Sequence, residues 1–283
     1  MYIIIDSNYI CHVAKHSMGN LSFEEKRVGV IFGFLRQILS FAKRFNTNQL
    51  IFAWDSKESK RREFYADYKA NRIEGKTEED KELDAIIYSQ FDTIRNKVIP
   101  RIGFVNNFIV RGYEADDIIA QITKNYSSEE FVIITSDSDL LQLLNYGMVT
   151  IFNPKTKTEY TERTMAQAYG ISPKEWAMVK AIAGCVSDNV PGVKGVGEKT
   201  AIKYLNGELK ESSAAYAKIR DFPDLHRNKV LVTLPYKGCP SVKVRKQPNT
   251  SYRGMYEVCE QYGFQSLLNK EAIQQWLKSL RAE

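Results

Sequence analysis

A chain of 283 residues with 43% hydrophobic and 26% charged content can bury a full core, with room for one large domain and a smaller one, and is too apolar to be disordered. Its formal charge of +6 is moderate, so where the charge lies says more than the total. No stretch is long enough to span a bilayer and no charged-then-apolar signal region precedes the first apolar run, so no membrane association and a cytosolic place of action are expected.

The opening run Tyr2-Ile3-Ile4-Ile5-Asp6 reads as a short strand that delivers an acid at its C-terminal end. Leu50-Ile51-Phe52-Ala53-Trp54-Asp55 repeats the arrangement, and Phe131-Val132-Ile133-Ile134-Thr135-Ser136-Asp137 gives it a third time, followed by Asp139. Continuously apolar runs suit strands buried on both faces, and the stretches between them read as helices. An α/β fold with a mostly parallel central sheet flanked by helices follows, and in such sheets the carboxyl ends of the strands form the ligand crevice.

Between the second and third strands, residues 57–72 interleave basic side chains with rings: Lys57, Lys60, Arg61, Arg62, Lys69 and Arg72 with Phe64, Tyr65 and Tyr68. Cations and rings together suit single-stranded nucleic acid, whereas an amphipathic helix with its rings turned inward explains the composition equally well. The segment leaves directly from Asp55, and an acidic helix is expected after Gly75, with Thr77 and Asp80 at capping-box spacing. A helix-loop-helix lid over the acidic rim is expected. Further on, Glu114, Asp116 and Asp117 fall in the first turn of an apolar helix containing Ile118, Ile119 and Ile122, and residues 140–144 read as another helix.

Asp6, Asp55, Glu114, Asp116, Asp117, Asp137, Asp139 and Asp188 carry the chemistry. Each alone could be a turn residue, an N-cap or a complement to a helix dipole. Coincidence at every expected strand end of one sheet is a different matter. Carboxylates gathered this closely repel, and divalent cations relieve the repulsion; donors that are all oxygen favour Mg²⁺, with Mn²⁺ as a substitute, over zinc. Such a site points to a phosphodiester substrate. Cys11, Cys185, Cys239 and Cys259 lack CxxC spacing and are expected as free thiols, and His12, His16 and His226 are expected at the surface.

The character changes after residue 160. Residues 161–170 read as a helix, and Ser172-Pro173-Lys174-Glu175 opens another that should run to about Gly184. Asp188-Asn189-Val190-Pro191-Gly192-Val193-Lys194-Gly195-Val196-Gly197-Glu198-Lys199-Thr200-Ala201 is a glycine-rich turn entering a helix, with no GK[ST] ending of a mononucleotide loop. Gly192, Gly195 and Gly197 would let backbone approach a phosphate, and Lys194, Lys199 and the amides near Thr200 would hold it. Residues 214–219 and 257–280 read as packing helices.

The string D-S-N after the first strand, the run from Asp55 through Y-K-A-N-R, G-Y-E-A-D-D, T-S-D-S-D-L and S-D-N-V-P-G-V-K-G-V-G-E-K-T-A together resemble the 5′-nuclease superfamily, in order over residues 1–205. The chain is similar to the 5′-nuclease domain of bacterial DNA polymerase I and to stand-alone phage flap endonucleases and 5′-3′ exonucleases. With no polymerase region following, the free phage-type form is expected, acting in the bacterial host cytoplasm. The resemblance implies a PIN-like core over residues 1–160 with a helical arch at 56–99, and a helical DNA-binding region over 161–283 with a helix-hairpin-helix turn near 184–206. It places all eight carboxylates on ligand positions for two Mg²⁺ ions. Lys69 and Arg72 fall where the family contacts the scissile phosphate, Tyr68 where a terminal base stacks, and Arg61 on an arch arginine, with Arg62 beside it. Residues 192–199 match the turn that grips duplex DNA, in some members with a K⁺ ion. The implied activity is 5′-3′ exonuclease and 5′-flap endonuclease in replication or repair, by a monomer, on DNA with 5′ ends or flaps and on RNA–DNA hybrids.

One departure stands out. The family pattern G-D-x-x-D-N is here Gly184-Cys185-Val186-Ser187-Asp188-Asn189, so a carboxylate is replaced by a thiol, a poor partner for Mg²⁺. A weakened second metal site with retained exonuclease activity is the expectation. Two rival readings are a non-cleaving DNA-structure binder disabled by Cys185 and a PIN-type ribonuclease.

Overall fold

Six strands form the central sheet of the computed structural model, which describes residues 1–72 and 77–283: β1 (Tyr2–Asp6), β2 (Leu50–Trp54), β3 (Asn107–Ile109), β4 (Glu130–Ile134), β5 (Met148–Asn153) and β6 (Thr158–Tyr160). Their spatial order is β3-β2-β1-β4-β5-β6, with β6 alone antiparallel to its neighbour. β1 lies at the centre, where Ile4 sits between Ile51 and Ile133 in register. This register brings the C-terminal ends of β1, β2 and β4 to one rim.

Side-chain alternation divides the core between the two faces of the sheet. Ile3, Ile5, Phe52 and Ile134 pack under the helices Ser7–Met18 and Gly29–Phe45, and the C-terminal helices Tyr252–Gln261 and Lys270–Ser279 join the same cluster through Met255, Val258 and Trp276. Ile4, Ile51 and Ile133 pack on the other face against the helices Ala115–Asn125 and Trp176–Ala183. Among the described residues no helix is long and apolar enough to cross a membrane.

Several elements differ from expectation for local reasons. Ser138–Asn145 is a 3₁₀ turn rather than an α-helix, with Leu140, Leu141, Leu143 and Leu144 all buried. The helix expected over 257–280 is two helices, because Gly263 adopts φ +70° and Asn269 caps a new start by accepting from Ala272 N at 2.8 Å. β3, β5 and β6 are too short or too polar to stand out in the sequence. Between β2 and β3 the basic segment forms one helical stretch, Lys60–Phe64, then turns and the 3₁₀ turn Ala70–Arg72. The acidic helix Glu78–Thr93 begins with the Thr77–Asp80 capping box, and the Gly75 turn lies outside the described residues.

Candidate metal centre and nucleic-acid interface

Three of the acids cap the element that follows their strand or turn. Asp6 Oδ1 accepts from Tyr9 N at 3.1 Å, Asp137 Oδ1 accepts from Asp139 N at 2.8 Å, and Glu114 forms a reciprocal capping box with Asp117. Capping fixes where these carboxylates sit, so the ordinary local role and the convergence coexist.

They converge on a cavity of about 390 Å³ lined by Asp6, Asp55, Glu114, Asp116, Asp137 and Asp139, with Lys69, Arg72, Lys180 and Cys185 on its walls. Thr135 Oγ1 donates to Asp6 Oδ2 at 3.0 Å, and Ala115 N donates to Asp55 Oδ1 at 2.8 Å. Burial, reinforced by the charge of Asp55, pushes the Asp6 carboxyl up to about 7. Burial likewise raises Asp55, and burial with repulsion from Asp137, Asp6 and Asp55 holds Asp116 well above the ordinary carboxylate range. Among the described residues Asp6, Asp55, Asp116 and Asp137 form no ion pair. This donor set fits divalent cations: all oxygen, crowded, and reluctant to ionise without added positive charge.

The remaining acids are compensated by protein cations. Lys69 Nζ donates to Glu114 Oε1 at 2.7 Å and lies 3.8 Å from Asp188 Oδ2, while Arg72 Nη2 donates to Asp188 Oδ1 at 2.8 Å. Burial opposes ionisation of Glu114, but Lys69 and Arg61 outweigh it and hold the group below its usual value. Asp139 is raised to about 6 by burial and by Asp137, against the pull of Lys180, whose Nζ lies 2.9 Å from Asp139 Oδ1. Cys185 Sγ, Asp139 and Asp188 form a mixed group whose ligand atoms lie within 4.8 Å of one another.

Three expectations need correction. Asp117 is not at the metal centre: it is fully buried, turned about one residue's helical rotation from Asp116, and both its oxygens accept from Arg61, at 2.6 and 2.8 Å. Arg61 is therefore no DNA contact; it is 3% exposed, and its Nε donates to Leu231 O. Tyr68, also 3% exposed, offers no face for a base: Arg61 and Lys69 lie over its ring, and its hydroxyl sits 3.0 Å from both Glu114 Oε2 and Asp188 Oδ2, its one proton shared between them.

The other basic-segment residues have mixed surroundings. Lys57 is exposed and 3.5 Å from Asp92, Lys60 lies over the Tyr113 ring, and Arg227 covers Tyr65 at 4.6 Å. Arg62 is exposed, yet its guanidinium donates to Tyr68 O and Lys69 O, pinning the turn in which Lys69 takes φ +57°. In the glycine-rich turn, buried Val193 and Val196 anchor the loop while Lys194, Gly195, Gly197 and Lys199 face solvent and Thr200 is half-buried. Gly195 has φ +80°, whereas Gly192 packs its backbone against Ala183 and Gly184.

Sequence reasoning missed Lys180, 7% exposed, which also donates to Glu198 Oε1 at 3.1 Å; a single lysine within the apolar run Trp176–Ala183 was the available signal. It also set His12 at the surface. His12 instead lines the cavity, half-buried beside Phe91 and Tyr88, and burial together with Lys15 lowers its imidazole to about 4.

Known proteins share both the sequence pattern and the fold. A 5′-3′ exonuclease of Aquifex aeolicus is 32% identical over 199 residues, covering 68% of this chain and 65% of that protein. The thermostable DNA polymerase I of Thermus caldophilus is 31% identical over 207 residues, 72% of this chain but 23% of the relative, so the chain spans under a quarter of that polymerase and about two thirds of the exonuclease. A solved structure of the T5 5′-exonuclease with bound zinc superposes with a TM-score of 0.70 at 22% identity, covering 99% of this chain and 98% of that one. The catalytic core of Rad2 in complex with DNA superposes at 0.56 and 16% identity, covering 99% and 91%. With the family model for the 5′-3′ exonuclease N-terminal, resolvase-like domain matching residues 1–170, the chain belongs to the 5′-nuclease superfamily.

Proposed function

We propose that this chain is a divalent-metal-dependent 5′-3′ exonuclease and 5′-flap endonuclease that hydrolyses DNA phosphodiesters, with RNA–DNA hybrid primers as further substrates. The carrying observation is the single cavity that gathers Asp6, Asp55, Asp116, Asp137 and Asp139 from separate segments beneath Lys69 and Arg72. The exonuclease names of the relatives and the DNA complexes among the structural neighbours support the substrate class.

Asp6, Asp55, Asp116 and Asp137 would hold one Mg²⁺, and Asp137, Asp139 and Asp188 would contribute to a second, weaker divalent-ion position beside the thiol of Cys185. Bound there, divalent ions polarise a phosphate and lower the pKa of an attacking water. The chain's own residues do the rest. Lys69 and Arg72 present positive charge at the cavity wall, where it would stabilise charge developing on phosphoryl oxygens. The Tyr68 hydroxyl holds Glu114 and Asp188 in place between these cations. Lys194 and Lys199, with the exposed backbone at Gly195 and Gly197, would grip the duplex without reading bases, with a K⁺ ion as an accessory there. Products carrying 5′ phosphates, a monomeric enzyme and action in the cytoplasm complete the reading, with residues 1–160 as the catalytic part and 161–283 as the DNA-gripping part.

A metal titration on 5′-flap, nicked and single-stranded DNA and on an RNA–DNA hybrid tests this, with Asp137→Asn as control. Short products released from the 5′ end of DNA, dependent on Mg²⁺ or Mn²⁺ and lost in Asp137→Asn, are expected. Binding without cleavage in any metal would leave a DNA-structure binder, and cleavage confined to RNA would leave a PIN-type ribonuclease.

A further inference from the structure

The acids of the cavity and Asp188 at its edge fall into two groups that differ in charge balance. Among the described residues, Asp6, Asp55, Asp116 and Asp137 have no ion-paired cation. Asp139 and Asp188, by contrast, are paired with Lys180 at 2.9 Å and Arg72 at 2.8 Å, with Lys69 3.8 Å from Asp188. A hard ion such as Mg²⁺ is held mainly by net negative charge and oxygen donors, so it favours the first group and is poorly held in the second. The second group offers something else. Cys185 is 9% exposed, its Sγ lies on the cavity wall 3.1 Å from Ser187 Oγ, and it falls in one ligand group with Asp139 and Asp188 spanning no more than 4.8 Å. Asp139 Oδ1 is buried, and Lys180 Nζ, 2.9 Å away, is poorly aligned with it, so the lysine leaves this oxygen's acceptor capacity incompletely used.

Resting on the nuclease reading above, we propose that Asp139, Cys185 and Asp188 form a mixed thiolate–carboxylate position that selects a borderline divalent cation of the zinc and cobalt class over Mg²⁺, so that the loaded protein carries two different metals. Sulfur donation supplies the affinity that charge does not, since thiolate ligands favour such ions while carboxylates alone favour Mg²⁺. On binding, the sulfur–metal bond forms as the thiol proton leaves to solvent, with no change of oxidation state. The group formed by Asp6, Asp55, Asp116 and Asp137 keeps its preference for Mg²⁺.

Cobalt gives a readout that does not depend on catalysis. The metal-free full chain is titrated with Co²⁺ in saturating Mg²⁺ and followed by absorption, alongside Cys185→Ser and Cys185→Asp. One equivalent is expected to produce a sulfur-to-cobalt charge-transfer band in the wild type that both variants lack. Zn²⁺ should displace the cobalt, and affinity for Zn²⁺ should fall by at least about 100-fold on replacing Cys185, more than the roughly 10–100-fold that losing a mere outer-shell partner costs. Cys185→Asp should bind a second Mg²⁺ more tightly than the wild type in calorimetry. No band, or a band that persists in Cys185→Ser, overturns the proposal. Should Cys185→Ser not fold, alkylation of the wild type answers the same question: Zn²⁺ but not Mg²⁺ should protect Cys185, read by peptide mass spectrometry, and equal labelling with both overturns it. Failure of the nuclease reading looks different, because then neither the wild type nor Cys185→Asp cleaves DNA with any metal, whatever the spectrum.

Discussion

Arg61 clasps Asp117 through two hydrogen bonds of 2.6 and 2.8 Å in a place where neither side chain is more than 3% exposed. Asp117 also accepts from the backbone amides of Glu114 at 3.1 Å and Tyr236 at 2.7 Å, and Arg61 donates to Leu231 O while lying 4.8 Å from the Tyr236 ring. The pair thus ties the start of the basic segment, the helix Ala115–Asn125 and the strap around residues 231–236 together. A buried pair of this kind costs much to desolvate, so deleting one member strands the other's charge. Arg61→Ala and Asp117→Ala should each lose about 3–5 kcal/mol in urea unfolding, whereas Arg61→Met with Asp117→Leu should recover much of that. Losses below about 1 kcal/mol in both single variants would contradict the assignment.

On the proposed function, Lys69 would serve chemistry more than affinity. It is largely enclosed, it faces Glu114 and Asp188, and its backbone N donates to Asp188 O at 2.8 Å. Burial disfavours its charge, but Glu114, Asp188 and Asp55 more than restore it, so it stays protonated throughout the physiological range. Lys69→Ala should reduce turnover by at least about 100-fold while DNA affinity, measured by anisotropy without cleavage, changes by less than about fivefold. Equal losses in both quantities would remove the catalytic role.

How much was legible follows from which forces act locally. Ile3, Ile4 and Ile5 declare a strand buried on both faces without any partner in view, and an acid at its end then declares the rim, so the centre of the sheet and Asp6, Asp55 and Asp137 could be located. The Thr77–Asp80 box and the Ser172–Glu175 start are equally local. Asp117 and Arg61 were misplaced because adjacent acids on a helix diverge by about 100° and only the partner across the fold decides which one turns inward. Tyr68 looks like a stacking ring in composition, yet a hydroxyl shared by carboxylates at 114 and 188 is a tertiary fact. β3, with three residues, carries too little pattern to be read at all.

The carboxylate cluster predicts an unusual dependence on pH. Asp6 is raised to about 7 and Asp139 to about 6, with Asp55 and Asp116 also raised, all through burial first. A group whose folded-state value exceeds its unfolded value supplies stability that is full below the unfolded value and is lost as pH rises through the folded one. For these acids the window runs from about pH 4 to about pH 7. In the metal-free protein, Asp6→Asn keeps the helix cap but removes one charge, so its stability advantage over wild type should grow between pH 5 and pH 8, by up to a few kcal/mol at about 1.4 kcal/mol per unit. Adding Mg²⁺ should reverse the ordering at pH 8 by stabilising the wild type far more, and a difference that stays flat across this range would show that the acids are not coupled.

Two glycines of the same turn should respond oppositely to alanine. A Cβ on Gly192 would stand 2.1 Å from Ala183 O and 2.5 Å from Gly184 N, all of it backbone, so the loop itself must shift. Gly192→Ala should cost about 1–3 kcal/mol. Gly197 has φ −99° and open space around the added atom, and it caps the helix Glu198–Leu205 without a side-chain bond. Its alanine variant should lose under about 1 kcal/mol of stability, yet weaken duplex binding if the exposed backbone meets a phosphate. Lys194→Ala and Lys199→Ala should leave stability unchanged, weaken binding evenly across DNA sequences, and each lower the salt slope by about 1 in anisotropy titrations without cleavage. An unchanged slope in both lysine variants would mean that this turn, however well built, lies away from the DNA.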